Sequence, residues 1–450
     1  MKKNMKKSVQ KNIQKNMQKN MQKNIQNNFI ELKKSDQRDP LLDVLRRSMQ
    51  YNVRIKKVIK RELIDVKGNK LLDFASCNYT SFDQEQSALL SSGIKGATLF
   101  GLHTSRARLM GYHELFTLAE KKIAKMMGAE NALLFPNTTL THIGIIPAIM
   151  KENDVIILDK SAHATMYQAC QMARDKGTIL CSYPQEDLTA LEQLLLKHKH
   201  AKKKLICVDG VYSMTGDYAA LDKIIPLAKK YNALVYIDDA HGFGFVGEHP
   251  TKKMPYGFKG NGIINYFGLD YENVLYVAGT AKGLGAAAAF ALVTNEMKEF
   301  LMAYAKPLDY THPSTPFDVG ILNAALDLHK KIGDDRRKKV YHLTKKLVDH
   351  LRGMGFYVMN KTYFPIVSVW SGNTEKLIKA SQFLYKKGIF LTSCPYPTMP
   401  RGEEALRITI TSNHTDKQID TLPGAFKIIR DEWTKAHIPL RPEKTIREYV

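Results

Sequence analysis

Six short apolar runs, several of which end in a polar residue, constrain the fold of this chain more than any other feature. They are ALLF (132–135), VIILD (155–159), LICVD (205–209), LVYID (234–238), VLYVAG (274–279) and FALVT (290–294). Runs of this length are typical of strands that are buried on both faces of a parallel sheet. The segments between them have helical periodicity, so we predict an α/β protein with a mostly parallel central sheet and helices on both faces.

The ends of these strands indicate where a site would lie. In a parallel sheet, the active site is found beyond the carboxyl ends of the strands, which directs attention to Asp159, Asp209 and Asp238. Further strand-like runs, PIVSVW, GIFLTS and ALRITIT, follow residue 320. The predicted parts are a basic arm (1–30), an N-terminal segment (31–84), a large domain that carries the site (85–320) and a smaller C-terminal α/β domain (321–450).

The composition excludes several classes of protein. No run of 18 apolar residues occurs in the 450-residue sequence, so we expect no transmembrane helix. The five cysteines include no CxxC pair, which argues against a disulfide scaffold or a closed zinc site and favours a reducing, cytoplasmic location. His142, His249 and His312 have no partner at metal-ligand spacing. We expect them to be ordinary hydrogen-bonded histidines and predict no metal site.

The net charge of +23 is concentrated in part at the N-terminus, where residues 1–28 contain eight lysines and no acid. The repeat KNIQKNMQKNMQKNIQNN (11–28) is interpreted as a disordered, solvated arm. The alternatives are a basic amphipathic helix that contacts a membrane surface or a partner subunit, and a cleaved targeting peptide. A second basic run, KHKHAKKK (197–204), lacks interleaved aromatic residues, so we predict no nucleic-acid partner.

Two segments carry residues that are suited to catalysis. LVYIDDAHGFGFVGE (234–248) places Asp238 and His241 at a strand end beside a glycine-rich turn, although a merely structural capped turn is an alternative. GTAKGLGAAAAF (279–290) places Lys282 among small residues, where poor solvation would lower its pKa as a Schiff-base amine requires. The alternative for Lys282 is a solvated surface lysine.

Together these residues match the needs of one cofactor, pyridoxal 5'-phosphate (PLP). PLP needs a lysine for its imine, a carboxylate for its ring nitrogen, and a hydroxyl-rich or glycine-rich helix start for its phosphate. Lys282 and Asp238 meet the first two needs. PNTTLTHIG (136–144), with Thr138 and Thr139, meets the third.

Five motifs in order resemble those of the α-oxoamine synthases, which are PLP enzymes of fold type I. They are NYTSF (78–82), LDKSAHATM (158–166), VDGVYSMTGDYAAL (208–221), IDDAHGFGFVGE (237–248) and ALRITITSNHT (405–415). The motif sequences are most similar to those of the 8-amino-7-oxononanoate synthases. The family also includes 2-amino-3-ketobutyrate ligase and serine palmitoyltransferase.

The resemblance implies a role for each matching residue. Lys282 would form the imine and act as the base, and Asp238 would keep the ring nitrogen protonated. The remaining roles are ring stacking by His163, contacts near the phenolic oxygen by Ser213 and His241, and orientation of the amino acid by Arg407 and Asn78. Three segments depart from the family. In SRARLMGYHEL (105–115) the spacing from arginine to glycine is off by one from the family pattern. Gly279 replaces the phosphate-binding threonine three positions before the lysine, leaving Thr280 as the nearest hydroxyl, and Asn137, Thr138 and Thr139 replace the Ser-Gly-aromatic turn.

The implied reaction is decarboxylative condensation of a small amino acid with an acyl-CoA or another acyl thioester, catalysed by a homodimer. The sequence leaves open which amino acid and which acyl chain are used. Alternatives are an aminotransferase or carbon-carbon lyase with the same cofactor, and a non-catalytic partner subunit.

Overall fold

The structure is a computed structural model, and it describes residue 15, residues 18–23 and residues 40–443. Residues 18–23 are helical, and their side chains are exposed. The rest of the basic arm, with the three interpretations given to it, lies outside the described residues.

A small sheet that was not predicted from the sequence precedes the large domain. Its strands are β1 (Ile55–Ile59), β2 (Glu62–Asp65) and β3 (Lys70–Asp73), which pair antiparallel. A short strand from the C-terminal part, Ile389–Phe390, adds to β3 in parallel. The sheet therefore joins the N-terminal segment to the C-terminal part of the chain.

The central sheet confirms the predicted fold class. Its strands are β4 (Asn131–Phe135), β5 (Val155–Asp159), β6 (Ile179–Tyr183), β7 (Lys204–Asp209), β8 (Leu234–Asp238), β9 (Val274–Gly279) and β10 (Ala289–Val293). They lie in the order β4-β10-β9-β8-β7-β5-β6, and β10 alone runs antiparallel to its neighbours. Six of these strands match the predicted apolar runs to within two residues. Their side chains are mostly buried, because helices cover both faces.

A third sheet lies in the C-terminal part. It comprises β11 (Ile366–Trp370), β13 (Thr392–Cys394) and β14 (Ala405–Thr409), all antiparallel, while Ile389–Phe390 is β12. Every side chain of β11 and β14 is buried. This sheet places Arg407 on its central strand.

The helices lie between and around these sheets. In chain order they are α1 (Pro40–Arg47), α2 (Gln86–Phe100), α3 (Glu114–Met127), α4 (Thr138–Ile149), α5 (Ala164–Arg174), α6 (Leu188–Lys197), α7 (Leu221–Lys230), α8 (Gly262–Tyr266), α9 (Ala281–Leu284), α10 (Asn295–Tyr304), α11 (Lys306–Tyr310), α12 (Pro316–Gly353), α13 (Thr374–Lys386), α14 (Asp416–Ile419) and α15 (Thr421–Lys435). None of the helices in the described ranges has the length and apolar character that crossing a bilayer requires.

The longest helix, α12, joins the large domain to the C-terminal part. It begins with Pro316 after a capping box, in which Thr315 and Asp318 each bind the other's backbone N–H. The predicted domain boundary at 320/321 falls inside α12, and the division of the chain into domains stays a prediction.

Candidate active site

Two carboxylates meet at the carboxyl edge of the central sheet. Asp209 ends β7 and Asp238 ends β8, and the register of the two parallel strands places them side by side. Both side chains are buried. Because two adjacent buried carboxylates resist being charged together, their surroundings decide which one is ionised.

Asp238 is the ionised member of this pair. Although burial acts to raise its pKa, His142 and Lys282 lower the pKa below its ordinary value. His142 Nε2 lies 2.9 Å from Asp238 Oδ2, and the backbone N–H of Ala240 donates to Oδ1. Since a carboxylate only accepts, Nε2 donates in this contact, and Nδ1 lies 2.9 Å from the hydroxyl oxygen of Tyr236.

Asp209 is the member that keeps its proton more readily. Burial and the charge of Asp238 raise its pKa well above the ordinary value. Its Oδ1 accepts the backbone N–H of His163 at 3.0 Å, which anchors the start of α5 to the end of β7. The His163 ring accepts from Thr165, and desolvation by the surrounding protein lowers its pKa.

Lys282 lies in the one-turn helix α9, directly after β9. Burial lowers its pKa, and the nearby charge of Asp238 only partly offsets this effect. The amine is therefore more readily deprotonated than a surface lysine. The lowered pKa agrees with the prediction that Lys282 is poorly solvated among small residues, and it argues against a solvated surface lysine.

His241 and Tyr79 form a buried pair behind the lysine. Tyr79 Oη lies 2.6 Å from His241 Nδ1. Burial and the positive charges of Lys282 and Arg407 hold the pKa of His241 well below its usual range, so the ring is neutral. Ser213 is also buried, and it lines a cavity together with His163.

The predicted phosphate-binding segment begins α4. Asn137 caps this helix by accepting the backbone N–H of Leu140 at 2.9 Å. A β-carbon built on Gly279 would lie only 2.6 Å from Thr138 Oγ1, so the Thr138 hydroxyl fills the space that a side chain at position 279 would need. Thr139 is exposed at the same helix start.

Thr280 faces the protein interior. Its hydroxyl is fully buried and lies 2.6 Å from the carbonyl oxygen of Ala286 and 3.0 Å from that of Ala288. These contacts close the turn after α9. The predicted contact of Thr280 with the cofactor therefore stays a prediction, and the observed contacts of its hydroxyl do not favour it.

Arg407, on β14, reaches the same site from the C-terminal part. Its Nη2 donates to the thiol of Cys77 at 3.0 Å, and its Nε is buried without a hydrogen-bond partner. The neighbouring Asn78 makes no hydrogen bond to Arg407 among the described residues. Its Nδ2 lies instead 3.1 Å from where a β-carbon on Gly285 would be.

The structure thus gathers most of the predicted residues. Lys282, Asp238, His241, His163 and Arg407 are close enough to shift one another's pKa. His142, Tyr79 and Cys77 also belong to the site, although no role in it was predicted for them. Tyr79 stands in the quoted motif NYTSF, and His142 stands in the quoted segment PNTTLTHIG, where it was expected to be an ordinary hydrogen-bonded histidine. Within the described residues, no cluster of three or more His, Cys, Asp or Glu side chains is arranged to hold a metal ion.

Comparison with known proteins identifies the family. The family model described as aminotransferase class I and II matches residues 69–426. The chain belongs to the aminotransferase class I and II family. Within it, the chain is 31% identical over 371 residues to the 8-amino-7-oxononanoate synthase of Herminiimonas arsenicoxydans, covering 81% of this chain and 91% of the relative. Against the enzyme of the same name from Coprothermobacter proteolyticus, identity is 30% over 82% of this chain and 90% of the relative.

Solved structures of related proteins share the fold. Serine palmitoyltransferase from Sphingomonas wittichii superposes with a TM-score of 0.79 at 24% identity, covering 89% of this chain and 98% of that chain. The 8-amino-7-oxononanoate synthase of Francisella tularensis gives a TM-score of 0.67 at 23% identity, covering 82% and 99% of the two chains. The resemblance to α-oxoamine synthases that the motifs indicated is confirmed.

Proposed function

We propose that this chain is a PLP-dependent acyltransferase that condenses a small amino acid with an acyl-CoA, releases carbon dioxide and yields an α-amino ketone. The observation that carries the proposal is the placement of an ionised Asp238 and a desolvated Lys282 in one site that Arg407 also enters. The curated relatives named 8-amino-7-oxononanoate synthase support it.

The residues present fit PLP. A primary amine, a buried carboxylate held charged by His142, and a capped helix start with the Thr138 hydroxyl are the donor set that its aldehyde, ring nitrogen and phosphate require. The tight space between Gly279 and Thr138 leaves room for the Thr138 hydroxyl but not for a side chain at position 279. When bound, PLP supplies an electron sink for negative charge that develops at the amino acid Cα.

The protein residues then orient the substrate and move its protons. Arg407 would bind the substrate carboxylate through two parallel N–H groups, which fixes the direction of the Cα–carboxylate bond. Lys282, whose lowered pKa makes it a competent base, would accept the Cα proton. His163 would cover one face of the ring, and Ser213 and His241 would lie near its phenolic oxygen.

The cavity beside His163 and Ser213 supports an acyl substrate. It has a volume of about 630 Å³, which is ample for a medium-length acyl chain. Its apolar lining includes Tyr167, Met214 and Met399. A Met214→Trp substitution should therefore shift preference toward shorter acyl-CoA chains, whereas an unchanged chain-length profile would place the acyl group elsewhere.

A homodimer is supported by apolar side chains left exposed in one stretch of chain. They are Leu90, Ile94, Leu99, Leu102 and Met110, and Leu102 is 82% exposed. Exposed apolar residues at this density are typical of an interface. Sedimentation of the full chain should give a dimer, and Leu102→Lys should weaken it. The cytoplasmic location and the contact of the arm with a membrane surface stay predictions.

Attachment of the cofactor tests the assignment of Lys282. The purified chain is incubated with PLP, reduced with borohydride, digested and examined by mass spectrometry. The expected result is one modified peptide containing Lys282, lost in Lys282→Ala and retained in the control Lys298→Ala. Equal modification of Lys282→Ala would show that another lysine holds the cofactor.

A further inference from the structure

Arg407 differs from every other buried arginine in the described part of the chain. The other three each contact a carboxylate, in the pairs Arg61 with Asp73, Arg108 with Glu120, and Arg337 with Asp334. Arg407 is 7% exposed, and its observed partner is the sulfur of Cys77 at 3.0 Å.

A thiol is a poor partner for a buried guanidinium. Sulfur is a weak hydrogen-bond acceptor, and a buried cation without an anion carries a large desolvation cost. The guanidinium is therefore arranged for an anion supplied by a ligand, and the Cys77 sulfur already occupies one of its donor directions.

Cys77 is also partly accessible to reagents in solution, unlike most thiols of this chain. Its side chain is half-buried, as is that of Cys181, whereas Cys170, Cys207 and Cys394 are buried. Burial raises the pKa of Cys394 to about 11, which keeps that thiol protonated. Cys181 lies on the edge strand β6 near His198, away from Arg407, and so provides an internal control.

We propose that Cys77 is a modifiable thiol within the amino acid site, so that its covalent modification and the binding of a substrate carboxylate to Arg407 exclude each other. This inference rests on the proposed function, because it takes the carboxylate to be that of the amino acid substrate. The group added to sulfur would occupy the space beside Nη2 that the carboxylate needs. A small disulfide in the surroundings of the protein would then switch the enzyme off.

The chemistry of that switch is balanced thiol-disulfide exchange. The Cys77 sulfur forms a new S–S bond with one half of a low-molecular-weight disulfide, and the S–S bond of the reagent breaks. The other half leaves as a thiol, which takes up the proton that Cys77 loses. Cys77 is oxidised and the leaving half is reduced, so no further oxidant is required. An added thiol reverses the exchange.

The test measures the rate at which iodoacetamide alkylates each cysteine of the PLP-loaded full chain. The reaction is run without amino acid and with glycine, L-alanine, L-serine or L-threonine, and cysteine peptides are quantified by mass spectrometry. The visible spectrum of bound PLP records which amino acid binds. With that amino acid, Cys77 alkylation should slow at least tenfold, while Cys181 alkylation changes less than twofold.

The outcomes separate the two proposals. A spectral change without protection of Cys77 overturns this inference and leaves the proposed function standing. Alkylation of Cys77 no faster than that of buried Cys170 also overturns it. If no amino acid changes the spectrum, the proposed function fails and this inference with it. In Cys77→Ser, treatment with a small disulfide should leave the spectral response to amino acid intact, whereas Cys181→Ser should remain as sensitive as the parent chain.

Discussion

His142 Nε2 lies 2.9 Å from Asp238 Oδ2, and both side chains are buried at the end of the central sheet. This contact keeps Asp238 charged although burial alone would protonate it. The ability of the site to bind a protonated ring nitrogen therefore depends on a histidine in α4, far from Asp238 in the sequence.

Replacing His142 with leucine should weaken PLP binding. Loss of a hydrogen bond to a charged group costs about 1.5–3 kcal/mol, so the Kd should rise about 10-fold to 100-fold. Tyr236→Phe is the matched control because it keeps the bond between His142 and Asp238, and its Kd should rise less than that of His142→Leu. PLP titration by absorbance measures both values. Equal affinity of His142→Leu and the parent chain would contradict the role of this pair.

The close approach of Gly279 and Thr138 predicts that one hydroxyl can replace the other. Thr138→Gly removes the hydroxyl at the start of α4 and should weaken PLP binding about tenfold, the loss of roughly one hydrogen bond. Gly279→Thr alone should also weaken it, because its β-carbon would lie 2.6 Å from Thr138 Oγ1.

The double variant Thr138→Gly, Gly279→Thr should bind PLP better than either single variant, since it removes the clash and restores a hydroxyl. PLP titration of the parent chain, the two single variants and the double variant gives the coupling energy between positions 138 and 279. Additive losses in the double variant would show that the two positions act independently.

Arg407→Lys should separate amino acid binding from cofactor binding. Lysine keeps the positive charge but cannot form two parallel hydrogen bonds with a carboxylate. We expect the apparent Kd of the amino acid to rise about 10-fold to 100-fold. The Kd of PLP should change less than about threefold, because Arg407 contacts none of the residues assigned to the cofactor by a hydrogen bond. A comparable loss in both affinities would place Arg407 at the cofactor instead.

Asp239 predicts a pH dependence of stability. Burial raises its pKa to about 7, although Tyr276 and the backbone of Ile263 donate hydrogen bonds to it. The folded chain thus keeps a proton that the unfolded chain releases near pH 4. Its contribution to the free energy of unfolding is therefore greatest below pH 4 and falls as the pH rises toward 7.

Urea unfolding at pH 5 and pH 7.5 checks this sign. As the pH rises, the free energy of unfolding of the parent chain should fall relative to that of Asp239→Asn. Asparagine keeps an acceptor for the two donors and does not titrate. A difference that stays constant with pH would contradict the raised pKa of Asp239.

The sequence predicted the buried parts of the fold and missed the exposed ones. The runs at β5, β7 and β8 were recognisable because helices cover both faces, which makes nearly every position before the terminal aspartate apolar. β6 escaped because this edge strand is only partly buried and contains Ser182. Strand β1 escaped for the same reason, since all of its side chains are exposed. Strands β2 and β3 escaped because each has only four residues, two of them buried.

The site was predictable where function depends on neighbours in the sequence. Asp238, His241 and Lys282 stand in glycine-rich segments directly after strands, which short motifs reveal. The role of His142 was not predictable, because it arises only when α4 packs against the end of β8. Cys77 contacts Arg407 across 330 positions of sequence, and nothing local to either residue indicates that contact.

Turnover of two substrates together tests the central claim most directly. The full chain, loaded with PLP, is given one amino acid from glycine, L-alanine, L-serine and L-threonine and one acyl-CoA of varied chain length. Free CoA thiol and carbon dioxide are both measured. The account predicts that one combination releases both in equal amounts, and that neither forms when either substrate is omitted or when Lys282→Ala is used. Conversion of bound PLP to its amine form by an amino acid alone, with no CoA released by any combination, would contradict it and indicate an aminotransferase.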